Sequence, residues 1–357
     1  VYSLPVFGDH WRMAINSSAL TAITAAPPNI EEAVVARSVT EQFGLQGEFS
    51  TLVSERDQNF LLRTAGGRRF LVKVTSAVED AVTTDFQIAA LQHVENAGGV
   101  LAPRIVPTVS GDSSGELIGD GKAHRLRVMT WVEGEQLEKL HIDAALAGQF
   151  GNALAGLDLA LQGFTHPGEK PALLWDLQRV GELRDLLDAI DDPAVKDSVT
   201  RVIDDYENHV VPALPSLRAQ VIHSDANPEN VLVTDDGLGF IDFGDIIKAP
   251  LVFDVAIAAS YMRVLDEDPT ALIEPFIAGY HTVVPLHAIE AGLLFDLIRA
   301  RLTTTVTLLY WRIQARPEND PYRQKALDLE GGAGKFLTAL DTLGRRVFDN
   351  KINKLTG

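Results

Sequence analysis

The chain has no cysteine, which excludes disulfides, thiolate metal centres and cysteine nucleophiles and fits a reducing cytoplasm. Positive charge is scarce as well: 31 Lys and Arg stand against 49 Asp and Glu, a net charge of −18. Gripping nucleic acid needs clustered cations, so no nucleic-acid partner is expected. No apolar run reaches the roughly 18 residues of a membrane helix; the best stretch, residues 251–262, is broken by Asp254. The first residues lack a basic segment followed by an apolar core, so neither a secretory signal nor membrane association is expected. What remains is an ordinary globular balance, 46% hydrophobic and 22% charged over 357 residues. That is enough chain for one large domain or two closely packed lobes.

Residues 1–28 show no period and end at Pro27-Pro28, which reads as an N-terminal arm. Asn29 and Glu32 have capping-box spacing for a helix carrying Val34, Val35, Val39 and Phe43, stopped by Gly44. Strand-like runs follow at residues 60–63 and 70–75, flanking the turn signal Ala65-Gly66-Gly67-Arg68. Phe70, Val72 and Val74 would share one face and Lys73 the other. Ser76 with Glu79 predicts a second helix, through Ile88, Leu91 and Val94 to Gly98. Strands around Leu117 and over 126–132, joined near Asp120-Gly121, complete a mostly β half. Beyond Gly134 helical periodicity dominates: 146–161, then 175–190, 194–210, 250–265, 270–281 and 287–312. One small β insertion interrupts it, at 221–222, 231–233 and 238–241. The expected organisation is therefore α+β, with an arm over 1–28, a small β lobe over 29–132 and a helical lobe over 133–357.

The insertion holds the strongest chemical signal. His223-Ser224-Asp225 is followed by Asn230, and Ile241-Asp242-Phe243-Gly244-Asp245 comes after. With a turn over 234–237, Val233 faces Leu238, which brings Asn230 opposite Ile241 and sets Asn230 and Asp242 at one open hairpin end. Two carboxylates and an amide oxygen suit Mg²⁺ while leaving positions for phosphates. The plainer reading makes Asn227 and Asn230 turn residues and Asp242 a loop cap.

The set His223-x-Asp225-x4-Asn230 with Asp242 resembles the aminoglycoside phosphotransferase and choline kinase superfamily, which has a two-lobed protein-kinase-like fold. Residues 54–60 (Ser-Glu-Arg-Asp-Gln-Asn-Phe), Leu71-Val72-Lys73-Val74, Phe164-Thr165-His166-Pro167 and Trp175-Asp176-Leu177 are most similar to its hydroxylysine kinase branch. The resemblance spans about residues 30 to 345 and implies a small-molecule kinase using Mg²⁺ and ATP or GTP. It implies Asp225 as the base that receives the hydroxyl proton, Asn230 and Asp242 as Mg²⁺ ligands, and Lys73 on the α- and β-phosphates. His223 would order the catalytic loop, and Asp254, alone in an apolar helix, would brace it. Backbone groups of the connector, Thr130 and Val132 among them, would meet the purine.

The pattern departs from that of kinases in two places. No Gly-rich loop precedes Lys73, so phosphate contact would fall to backbone amides with Ser54 or Asn59. The helix after Lys73 offers Gln87 or Asp85, with Glu79 nearby, where a glutamate partner for the lysine is expected. For the acceptor, Arg301 matches an arginine of the hydroxylysine-like branch suited to a carboxylate, and Asp245 is a carboxylate for an amine or simply a helix cap. The plainer alternative is a surface pair of Asp296 and Arg299 with Arg301 solvated. The implied substrate is an amino alcohol or hydroxy amino acid, with aminoglycosides, ethanolamine, choline and homoserine open. The branch also pairs such kinases with a phospho-lyase acting on the product. The rivals are a catalytically idle kinase-fold binding module and a metal hydrolase. An intact Lys73, Asp225, Asn230 and Asp242 argue against the first, and the lack of His-rich ligand spacing against the second.

Overall fold

A computed structural model of the chain describes residues 27–54, 56–265, 268–314 and 332–357. The arm expected over 1–28 lies, up to residue 26, outside the described residues. Helix α1 (Glu32–Phe43) buries Val35, Val39 and Phe43, one residue per turn, and ends on Gly44 at φ 66°. Its start differs from the capping-box expectation. Glu31 precedes the helix without a side-chain cap, because the Gln58 amide takes both the N–H and the C=O of Ile30 at 2.9 Å and holds that residue extended in the core.

Strands β1 (Gly47–Leu52), β2 (Gln58–Thr64), β3 (Arg69–Val74), β4 (Gly115–Gly119) and β5 (Lys122–Thr130) form one antiparallel sheet in the order β1-β2-β3-β5-β4. The face of Phe70, Val72 and Val74 is buried in a core with Val35, Val39, Phe43, Leu126 and Val128. Lys73 points from the opposite face. Helix α2 (Ala81–Ala97) is capped by the Asp80 carboxylate, which accepts from the Val82 N–H. Ser76 does not cap it, because the Ser76 N–H is tied to Asp57 Oδ1 at 3.0 Å. Phe86, Ala90, Leu91 and Val94 of α2 enter the core of the helical lobe.

That lobe holds α3 (Ala144–Ala160), α4 (Pro193–Asp205), α5 (Val252–Ala259), α6 (Ile273–Val283), α7 (Ala288–Ala291), α8 (Leu294–Gln314), α9 (Gly332–Leu343) and α10 (Arg345–Thr356). Residues Leu177–Ala189 are 3₁₀ turns kinked at Arg179 in place of the α-helix expected there. The helix expected over 287–312 is two, α7 and α8. Helices α3 and α6 pack so closely that a Cβ on Gly151 or Gly279 would collide with the facing backbone. The two-residue strand β6 (Glu135–Gln136) and β9 (Gly237–Phe240) flank β8 (Val231–Thr234), and β7 (Ala219–Ile222) pairs with β10 (Ile247–Pro250). The expected register holds: Val233 faces Leu238, and the Ile241 N–H donates to Asn230 O at 2.9 Å. Among the described residues no helix is long and apolar enough to cross a membrane.

Candidate active site

The loop between β7 and β8 is anchored from below. Asp254 of α5, fully buried, accepts the His223 N–H at 2.9 Å and the Ser224 N–H at 2.7 Å. Ser224 is thereby held at φ 65°, a left-handed conformation that costs a non-glycine residue energy unless its surroundings impose it. Burial pushes the Asp254 carboxyl up, and His223 with the two N–H donors counters part of that. His223, also buried, lies with Nε2 3.0 Å from Ile241 O, bridging this loop to the strand that leads to Asp242.

Asp225 stands on top. Its Oδ2 accepts from the amides of Asn230 at 2.9 Å and Asn227 at 3.1 Å, and its Oδ1 lies 3.3 Å from the Arg301 guanidinium. Burial raises the carboxyl most; Arg301 lowers it, Asp245 and Asp242 raise it, and the outcome is about 7. A carboxylate so poised accepts a proton from a hydroxyl far better than an ordinary aspartate.

Asp242, at φ 57°, accepts the Gly244 N–H at 3.2 Å and sits 3.9 Å from Lys73 Nζ. Lys73 holds its carboxyl below the usual range. The Asn230 amide N–H is directed to Asp225, which turns the amide oxygen into an available donor for a metal ion. Two hard oxygens, one charged and one neutral, fit Mg²⁺, which keeps solvent and phosphate oxygens for its other positions.

The partner of Lys73 corrects the sequence expectation. Asp57 Oδ2 lies 3.0 Å from the ammonium, and both side chains are nearly buried. Burial would raise the Asp57 carboxyl, but Lys73 and Arg127 hold it low. Burial likewise pulls the Lys73 ammonium down, and Asp57 and Asp242 lift it above the ordinary lysine value. The pair is ionised. Asp85 instead binds Arg125. Gln87 accepts from Arg127 at 2.7 Å and donates to Glu79 at 3.1 Å and Gly244 O at 3.0 Å, so it supports the turn after Asp242 rather than the lysine.

Other expected positions are only partly free. Ser54 Oγ accepts the Asp57 N–H at 3.4 Å within its own turn, and Asn59 lies opposite Lys73 in the β2–β3 ladder. The Thr130 N–H is committed to Arg104 O at 2.9 Å, which removes that donor from any purine contact and leaves Val132, just past β5, as the candidate. Asp245 is neither a spare carboxylate nor the cap of a following helix. It closes a single 3₁₀ turn (Phe243–Asp245) and pairs with Arg56 at 2.6 Å. Arg301 is not solvated: it is 6% exposed, with the Tyr261 hydroxyl at 3.0 Å and its Nε buried without a partner. Arg299 is no surface residue either, since it is buried and bridges Asp205 and Asp341 at 2.7 Å each. Sequence reasoning missed Asp57, Arg56 and Tyr261. The first two lie in the run over residues 54–60, which was the available signal.

The family model described as "Phosphotransferase enzyme family" (APH) matches residues 49–293. The chain belongs to this family. Hydroxylysine kinases are similar to it at 27% identity: that of Danio rerio over 83% of this chain and 88% of its own length, that of Mus musculus over 84% and 86%. A homoserine kinase of Azorhizobium caulinodans is 29% identical over 68% of this chain and 73% of its own. Among solved structures, a microcompartment-associated aminopropanol kinase superposes with TM-score 0.68 at 18% identity, covering 85% of this chain and 95% of that one. Amicoumacin kinase in complex with AMP-PNP and Ca²⁺ superposes at 0.67 and 14%, covering 86% and 93%. The fold is thus the two-lobed α+β fold of these kinases, and the chain is a small-molecule phosphotransferase with an alcohol group as acceptor.

Proposed function

We propose that this phosphotransferase moves the γ-phosphoryl of ATP or GTP, with Mg²⁺, onto the hydroxyl of a hydroxylysine-like amino alcohol or hydroxy amino acid. The observation that carries the acceptor class is the Arg301 guanidinium set against Asp225, with a buried Nε still lacking a partner. An acceptor must bring its hydroxyl to Asp225, and a guanidinium with an unmatched donor there suits a carboxylate on the same molecule. The hydroxyl oxygen attacks the γ-phosphorus, its proton passes to Asp225, and the bond to the β-phosphate oxygen breaks with its electron pair leaving on the nucleoside diphosphate. Lys73, kept charged by Asp57, neutralises the α- and β-phosphates, while Asn230 and Asp242 hold the metal.

A second hydroxy amino acid, homoserine, is favoured by the same arginine, and one relative carries that name. Choline, ethanolamine and aminoglycosides have no carboxylate for Arg301. Transfer to an alcohol beside an amine makes a phosphate ester primed for elimination, which supports a phospho-lyase acting on the product. Dependence on nucleoside triphosphate supports a cytoplasmic site of action. The test is a panel of hydroxylated amines and amino acids, assayed by nucleotide consumption with Mg²⁺. Turnover of hydroxylysine or homoserine is expected; turnover confined to acceptors without a carboxylate overturns the reading.

A further inference from the structure

Where many kinases cover the phosphates with a glycine-rich loop, this chain has Ser54-Glu55-Arg56-Asp57 between β1 and β2. The Arg56 guanidinium crosses the cleft from there. Its Nη2 bonds Asp245 Oδ1 of the other lobe at 2.6 Å, and its Cζ lies 5.6 Å from the centre of the Trp175 ring. A Cβ placed on Gly244 would fall 2.9 Å from Asp242 Oδ1 and 3.3 Å from Arg56 Nη2. The arginine and the metal-binding carboxylate therefore flank one and the same point. Lys73 Nζ lies 3.9 Å from the same Asp242 oxygen. Asp245 and Asp242 both act electrostatically on the base, Asp225, so the arginine, the metal corner and the base share one field.

A surface arginine serving only solubility would not be fixed this way. Asp245 engages one nitrogen and the Trp175 ring lies beside the group, and among the described residues the fork makes no other hydrogen bond, which leaves its remaining N–H groups for a ligand. Asp242 and Lys73 mark where the terminal phosphates must lie. We infer that Arg56 is a catalytic residue of the phosphoryl transfer: its fork donates to the equatorial oxygens of the γ-phosphoryl group, in place of the backbone amides of a glycine-rich loop, and Asp245 with Trp175 positions it. Arg56 makes and breaks no covalent bond. It neutralises charge on the group in flight, where a preorganised donor acts most strongly. This assignment rests on the phosphotransferase reading but not on the acceptor class.

The test compares wild type, Arg56→Ala and Arg56→Lys in three measurements that need no acceptor alcohol. These are affinity for Mg·ADP, affinity for Mg·ADP·AlF₄⁻, and the slow cleavage of ATP by water. Arg56→Ala should leave Mg·ADP binding within about threefold, while the aluminium fluoride complex weakens and ATP cleavage slows by about 10²-fold or more. Arg56→Lys, which keeps the charge and loses the fork, should recover only part of that. Equal losses in both nucleotide complexes would make Arg56 a mere clasp between the lobes and overturn the assignment. So would no loss in either, full recovery by lysine, or a wild type that binds the fluoride complex no better than Mg·ADP. Failure to phosphorylate hydroxylysine, with fluoride discrimination intact, would instead overturn only the acceptor class.

Discussion

Asp225 and Arg301 meet at 3.3 Å although they come from distant parts of the chain, a loop after β7 and the long helix α8. The guanidinium works against the burial that raises the carboxyl, so the base titrates at about 7 rather than higher. Two consequences follow for pH. Turnover at saturating nucleotide should rise with pH through a limb near 7 as Asp225 loses its proton. The folded-state value lies above the unfolded one of about 3.9, so the folded form binds more protons in between. This group's contribution to stability is therefore lost as pH rises from about 4 to 7. Asp225→Asn should abolish the limb and lower turnover by about 10²–10⁴ with Mg·nucleotide affinity nearly intact. More than half the wild-type rate in that variant would remove Asp225 from the mechanism.

The Lys73–Asp57 pair makes a contrast between two aspartates that the sequence does not separate. Asp57→Ala leaves a nearly buried ammonium without its main partner, at a cost of about 3 kcal/mol or more, and should raise the KM for nucleotide. Asp85→Ala removes a half-exposed carboxylate bound to Arg125 and should cost under about 1 kcal/mol. Urea unfolding of both variants decides it: equal losses would contradict the pairing.

That contrast also shows which parts of the site could be read in the sequence. The β8–β9 hairpin was legible because two short apolar runs flank Asp235-Asp236-Gly237, which fixes the turn and with it the register, and that register sets Asn230 opposite Ile241, next in sequence to Asp242. The face of Phe70, Val72 and Val74 followed from period two in the same way. The Asp57 contact did not, because it depends on how the turn before β2 folds back beside β3. Arg56 with Asp245 and Arg301 with Asp225 are tertiary contacts between segments with no common period. The helix starts failed for a local reason: Ser76 and Asn29 had the right side chains, but Asp57 and Gln58 engage the backbone beside them.

The metal corner gives a third expectation. Asp242 is held low by Lys73, so it stays ionised well into acid, and metal-dependent binding of nucleotide should persist below the pH at which turnover has already failed. Asp242→Ala should abolish Mg²⁺-dependent binding, and Asn230→Ala should raise the Mg²⁺ needed for half-saturation. Calorimetric titration with and without Mg²⁺ reads both; unchanged metal dependence in Asp242→Ala would dismiss the hairpin end as the metal site.

The last expectation concerns the carboxylate of the acceptor. If Arg301 grips it, wild type should prefer hydroxylysine over its decarboxylated analogue, and Arg301→Ala should lose that preference by ~1.5–3 kcal/mol in kcat/KM, the range of a hydrogen bond to a charged group. The comparison is complicated by the second role of Arg301, because removing the guanidinium also lets the Asp225 carboxyl rise. At neutral pH the mutant would slow on every acceptor simply because its base is more protonated. The two effects separate by pH and by ratio. Loss of the base shifts the acid limb upward and acts equally on both acceptors, whereas loss of the carboxylate contact changes their ratio and persists on the alkaline plateau. Profiles of both acceptors from about pH 6 to 9.5 therefore carry the decision. A shifted limb with an unchanged ratio would assign Arg301 to the base alone and move carboxylate recognition elsewhere in the cleft.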